Sequence, residues 1–287
     1  PAVTLILLFT FHPAGAAEDD PDPSQLTLER IFENEEFEVE TFGPARWLED
    51  GSGYTTLEAS EEDEEAKEIV RYDPATGERT IRVSATSLVP TEGEEPLEID
   101  DYQWSEDGRR LLVFTNTKKV WRRHTRGDYW LLDIGSSNLQ QLGGGAGESS
   151  MMFAKLSPDG TRVAWVDFGQ KDIFVQDLED LSVIRLTNDV GEHIINGTSD
   201  WVYEEEFGLR DGFRWSPDSR LVAYWQFDSE GVQTFNLINN TDTLYPELTP
   251  IPYPKVGTTN SACRVGVIPV TGGETSWFEP EGDPRNH

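Results

Sequence analysis

Trp104-Ser-Glu-Asp-Gly-Arg-Arg-Leu-Leu-Val-Phe114 is followed 52 residues later by Leu156-Ser-Pro-Asp-Gly-Thr-Arg-Val-Ala-Trp165, and 59 after that by Trp215-Ser-Pro-Asp-Ser-Arg-Leu-Val-Ala-Tyr224. A further copy, Trp47-Leu-Glu-Asp-Gly-Ser-Gly-Tyr54, begins 57 residues before the first. Each reads as a strand ending in an aromatic residue or leucine, then a tight turn, then an alternating strand. In the turn the Asp bonds its own backbone and the Gly takes a positive φ. Between these hairpins lie further strand candidates: Ile69–Ile81, Tyr129–Ile134, and Ile173–Leu178 with Ile184–Leu186. Four strands per repeat is the arithmetic of a propeller blade. A β-sandwich with chance Asp-Gly turns is the competing fold, and four spaced copies of one turn weigh against it. Arg264–Trp277 reads as the start of a fifth blade. The expectation is an all-β propeller of four-stranded blades, about four and a half of them. A propeller closes on itself to remove sheet edges, so the chain reads as incomplete.

The surrounding composition agrees with a folded protein: 287 residues, 36% hydrophobic, 11% aromatic and 27% charged. The 54 acidic against 23 basic residues leave a formal charge of −31, which repels nucleic acid and anionic lipid. Cys263 is the single cysteine, so no internal disulfide forms, and with four histidines neither a zinc site nor another metal site is expected. No cofactor is expected either. At the start, apolar Leu5–Phe11 runs into Ala14-Gly-Ala-Ala17 and then Glu18-Asp-Asp20, the pattern of a secretory leader without its initiator Met. This reading divides the chain into a leader-like segment over 1–17, an acidic lead-in over 18–40 and a partial propeller over 41–287. It places the protein outside the cytoplasm: periplasmic, secreted or membrane-anchored.

One segment breaks the strand rhythm: Asn196-Gly-Thr-Ser-Asp-Trp-Val-Tyr-Glu-Glu-Glu-Phe-Gly208. Asp200 can cap a short helix that carries Glu204, Glu205 and Glu206. Charge alone would make this a solvated acidic turn, as Glu61-Glu-Asp-Glu-Glu65 is. Trp201, Tyr203 and Phe207 set it apart, because aromatic neighbours seek burial and hold the carboxylates partly out of water. Crowded carboxylates favour a bound cation, and an ammonium group is the natural one.

Asp200-Trp-Val-Tyr-Glu-Glu-Glu206, with Trp215-Ser-Pro-Asp and Ala223-Tyr-Trp-Gln-Phe227, resembles the dipeptidyl peptidase IV family. Trp121-Arg122 with Tyr129 and Asp133, and Tyr253-Pro-Lys-Val-Gly257 with Asn260, resemble further segments of it. The resemblance runs from about residue 40 to the end. It implies an eight-bladed propeller ahead of an α/β-hydrolase domain that this chain does not contain, and removal of dipeptides from peptide N-termini. Carried onto this sequence, it implies that Glu205 and Glu206 bind the substrate's free α-amine and that Arg122 contacts the substrate carbonyl. Glu204, Tyr203 and Trp201 would support them.

No Gly-x-Ser-x-Gly nucleophile elbow occurs in the sequence, so no catalytic residue is assigned and the chain alone should be inactive. The leading expectation is the substrate-gating propeller of a dipeptidyl peptidase IV-like serine exopeptidase. The partners this expectation names are a peptide with a free N-terminus, the missing hydrolase domain and a second copy of itself in a homodimer. The alternative from another class is a non-catalytic secreted or periplasmic propeller that binds a protein or peptide partner. A related endo-acting or aminopeptidase branch would have no use for the Glu205/Glu206 pair.

Overall fold

Three of the four repeated turns fold by the same hydrogen bonds. In one, Gly108 N donates to the Ser105 carbonyl at 2.9 Å, Ser105 Oγ to Asp107 Oδ1 at 2.6 Å and Arg109 N to the same oxygen at 3.0 Å. The set recurs at Ser157, Asp159 and Gly160 with 2.8, 2.6 and 3.0 Å, and at Ser216, Asp218 and Ser219 with 2.9, 2.6 and 3.2 Å. Gly108 and Gly160 sit at φ 65° and 70°, where a side chain is disfavoured. Ser219 takes φ 59° at the matching place, and its hydroxyl accepts from Asp159 N at 3.0 Å, tying one turn to the next.

The computed structural model describes residues 24–34, 36–39, 42–61, 63, 65–91, 94–189, 191–278 and 281–286. The leader-like segment over 1–17 lies outside them. Residues 1–42 form a unit of their own; among its described residues Glu29–Glu33 makes one helical turn, and Arg30 pairs with Glu36 at 2.5 Å.

Residues 43–287 are built from antiparallel sheets. The first contains β1 (Arg46–Trp47), β2 (Tyr54–Ala59), β3 (Lys67–Tyr72) and β4 (Arg79–Val83) in sequential order. The second group comprises β5 (Asp101–Trp104), β6 (Arg110–Val120), β7 (Arg123–Asp133) and β8 (Asn138–Gln141). The third comprises β9 (Met151–Leu156), β10 (Arg162–Asp167), β11 (Asp172–Asp177) and β12 (Val183–Arg185). β7 outruns its blade and pairs Arg126 with Met152 and Gly127 with Met151, which fuses the second and third groups into one sheet. In the fourth, β13 (Ile194–Asn196) and β14 (Phe213–Trp215) share opposite halves of β15 (Leu221–Asp228). A separate hairpin, β16 (Thr234–Asn239) with β17 (Glu247–Pro252), precedes β18 (Ala262–Pro269) and β19 (Ser276–Phe278).

The segment Arg264–Trp277, expected to open a fifth blade, closes the fourth instead: β18 pairs with β15 along its whole length, and β19 pairs with β18. The inserted hairpin between Asp228 and Ala262 delays the third strand, so its spacing mimics a new repeat.

Burial explains why the strands stack as blades. On β10, Val163 and Trp165 pack with Leu112, Tyr129, Leu131 and Leu156. The alternate residues, Ala164 and Val166, pack with Phe213, Val222, Tyr224 and Ile268. A strand with period 2 therefore gives one face to each neighbouring sheet, and both faces are apolar because both are covered. The first and second groups share a like core of Ile69, Leu88, Ile99, Leu111, Val113 and Leu132. At about 25 cal/mol per Å² of apolar surface removed from water, these inter-blade cores are the main stabilising contribution.

Candidate functional site

Asp200 ends an extended stretch with ψ 176° and accepts from Tyr203 N at 3.0 Å, which starts the short helix α1 (Trp201–Glu205). Its aromatic residues anchor it. The Trp201 ring lies 4.6 Å from Tyr253, in the Tyr-Pro-Lys segment, and Tyr203 lies 4.5 Å from Phe227 and 5.4 Å from Phe207. Phe207 remains mostly exposed, so the aromatic flanking buries one side of the triplet only.

The three carboxylates thus meet three environments. Glu204 is buried and pairs with Arg210 Nε at 3.1 Å. Burial raises its carboxyl above the usual carboxylate range, helped by the Glu205 charge and opposed by Arg210. Glu205 has a side chain only 7% exposed and meets Arg122 Nε at 2.7 Å. Glu206 is exposed, beyond the last helical residue.

Arg122 reaches Glu205 from another blade. β6 and β7 are eleven residues each, and Val120 pairs with Arg123, leaving Trp121 and Arg122 as a two-residue hairpin tip. Trp121 takes φ 55°, the left-handed region that a tight hairpin of this kind normally fills with glycine. Next to this strained residue, Arg122 carries a guanidinium that is 83% exposed yet pairs with Glu205. The structure therefore brings Arg122 and Glu205 together, leaves Glu206 exposed as the next residue and sets Glu204 aside on Arg210. Trp201 and Tyr203 brace the helix.

Arg210, Lys171 and Lys155 carry no motif and were not singled out by their spacing. Lys171, half-buried, shares a cavity of about 190 Å³ with Trp121, Phe168, Trp201 and Glu204. Its ammonium stands 4.0 Å over the Phe168 ring, and burial drives it down to about 8 from an ordinary 10.5, against the favourable fields of Glu204 and Asp167. Between pH 8 and 10.5 the unfolded chain therefore holds the Lys171 proton that the folded chain has released, so this group's contribution to stability rises with pH. Lys171→Met is expected to be more stable than the parent at pH 7 by about 1 kcal/mol, roughly 2–4 °C. The gap should narrow by pH 10 in urea melts; a constant gap would mean that Lys171 is not held charged against burial.

Gly212 sets the return from α1 into β14. Its N–H donates to Gly197 O at 3.0 Å and its carbonyl accepts from Trp225 N at 3.0 Å. A Cβ there would fall 1.8 Å from Trp225 Nε1, which is held on Thr198 O at 2.9 Å. Gly212→Ala should cost about 2–3 kcal/mol by overpacking, read as a lower urea midpoint with unchanged slope.

Among the described residues no cluster of His, Cys, Asp and Glu is arranged to hold a metal ion, and no helix is long and apolar enough to cross a membrane. Residues 105–287 match the family model described as the dipeptidyl peptidase IV (DPP IV) N-terminal region. The chain is 31% identical over 189 residues to dipeptidyl aminopeptidase B of Saccharomyces cerevisiae, covering 64% of this chain and 22% of that protein. The crystal structure of Porphyromonas gingivalis dipeptidyl peptidase 4 superimposes with a TM-score of 0.77 at 27% identity, covering 91% of this chain and 36% of the other. The chain thus spans about a fifth of the curated relative's length and about a third of the solved one's.

Proposed function

The chain belongs to the dipeptidyl peptidase IV family, within its N-terminal region, and from that premise we propose that it is the substrate-gating propeller of an exported serine exopeptidase that releases N-terminal dipeptides. In this reading residues 1–17 are the export leader, residues 41–287 are part of the propeller, and the Ser-Asp-His chemistry belongs to an α/β-hydrolase domain carried elsewhere in the protein. Supporting that division, the relatives extend far beyond the matched stretch.

The observation that carries the reading is the charge left over at the tip of α1. Glu204 is neutralised by Arg210 and Glu205 by Arg122, which leaves Glu206 as a net −1 beside a nearly buried carboxylate. A protonated α-amine supplies the matching +1 and offers three N–H donors to Glu205 and Glu206. Charge-assisted bonds of this kind are about twice as strong as neutral ones. Arg122, 83% exposed beside that carboxylate, is accessible to donate to a substrate carbonyl.

The function follows from length. An extended peptide advances at most about 3.3–3.6 Å per residue, so fixing the amine fixes the bond after the second residue, and a peptide without a free amine loses its anchor. The carboxylates measure distance and do not transfer protons. The test is release of p-nitroaniline from Gly-Pro-p-nitroanilide by the protein expressed from its complete reading frame. Activity that disappears when the substrate amine is acetylated is the expected result. Equal turnover of both substrates, or a complete protein without peptidase activity, would refute the reading.

A further inference from the structure

Arg123, the chain neighbour of Arg122, lines a cavity of about 400 Å³ with His124, Arg210, Asp211 and Arg214. In a chain with 54 acidic and 23 basic residues, a wall of three arginines and a histidine with a single carboxylate runs against the general field. The pairing inside it leaves positive charge over. Arg210 is committed to Glu204 at 3.1 Å. Asp211 is divided between Lys155 Nζ at 2.5 Å and Arg214 at 3.0 Å. Arg123 forms no ion pair among the described residues, and its side chain faces solvent from the first position of β7. Four cations (Arg123, Arg210, Arg214 and Lys155) therefore stand against two carboxylates (Glu204 and Asp211).

The cavity continues the amine site along both of its chain segments: Arg123 follows Arg122, and Gly208 to Asp211 follow the glutamate triplet. On a peptide, the side chain nearest the α-amine is that of the first residue, because both leave the same carbon. We propose that this arginine-lined cavity receives a carboxylate side chain on the first residue of the substrate, making the protein selective for peptides that begin with Asp or Glu. The inference rests on the amine-binding reading above and adds the substrate class to it. A planar guanidinium pairs with a carboxylate through two parallel N–H bonds, so Arg123 and Arg214 are the specificity-determining residues.

The experiment compares Asp-Pro-p-nitroanilide with Asn-Pro-p-nitroanilide, which are alike in shape and differ in charge, using the protein expressed from its complete reading frame. The expected kcat/KM ratio is about fivefold in favour of Asp, about 1 kcal/mol, shrinking at high salt because the cavity is open to solvent. In Arg123→Gln/Arg214→Gln the ratio should fall to about one while the Asn-Pro rate holds, which separates lost selectivity from lost folding. A wild-type ratio of one or less, with N-acetyl substrates inert, would overturn the cavity and leave the amine reading intact. Full turnover of N-acetyl-Asn-Pro-p-nitroanilide would overturn the amine reading and the cavity's role with it. A ratio that survives the double substitution would overturn the assignment to these arginines.

Discussion

Glu205→Ala is expected to lower kcat/KM for a free-amine Gly-Pro substrate by roughly 10²–10³-fold, while the protein stays folded. The side chain is 7% exposed and holds Arg122 at 2.7 Å, so its removal strands a guanidinium at the tip of the β6–β7 hairpin and takes away one of two carboxylates proposed for the amine. Truncating one partner of a desolvated charged contact costs about 2–5 kcal/mol, which sets the scale. Glu206→Ala, at an exposed position, should fall less steeply and recover partly in Glu206→Asp. Glu204→Gln should behave differently again: it leaves Arg210 without its carboxylate and should lower the melting temperature before it changes KM. Rates for N-acetylated substrate serve as the baseline. A Glu205→Ala enzyme with wild-type kcat/KM would remove the pair from the substrate site.

Asp172→Ala is expected to be the most damaging change to stability, at about 3–5 kcal/mol, or on the order of 10 °C in a unit of this size. Asp172 is 2% exposed at the start of β11. It accepts from Arg185 Nε at 3.0 Å and from a second nitrogen of the same guanidinium, from Thr187 Oγ1 at 2.7 Å and from Asn196 Nδ2 at 2.9 Å. Asn196 in turn accepts from Gln226 at 2.8 Å, and Gln226 accepts from Arg264 at 2.9 Å. The network runs from the third blade into the fourth. Alanine leaves the buried Thr187 hydroxyl without its acceptor, takes one of two acceptors from the Asn196 amide and unpairs the Arg185 guanidinium. Asp172→Asn should lose less, since it keeps the shape and one acceptor oxygen. Thermal melts in which Asp172→Ala matches the wild type within 2 °C would show that the network contributes little.

How much was legible beforehand follows from which interactions are local. The three Ser-x-Asp turns, the capping Asp200 and the helix that breaks the rhythm are set within a few residues of chain, by side chains that bond their own backbone. Residue identity was enough to read them. The same holds for the aromatic-flanked glutamates as a candidate site. The insertion between β15 and β18 was misleading, because hairpin spacing says nothing about which sheet a strand joins.

The sequence by itself determined the all-β class, the blade as its unit and the acidic cluster as the place to look. Tertiary structure alone decided how three adjacent glutamates divide their labour. Arg122 and Glu205 stand 83 positions apart in the chain and meet at 2.7 Å because β6 and β7 outgrow their blade. Arg210 folds back on Glu204, and Lys155 reaches Asp211 across 56 residues. Charge, burial and pairing are properties of where chain-distant groups come to rest. Neighbouring carboxylates of one residue type become different chemical groups only once the surrounding blades supply each with its own partner and its own access to water.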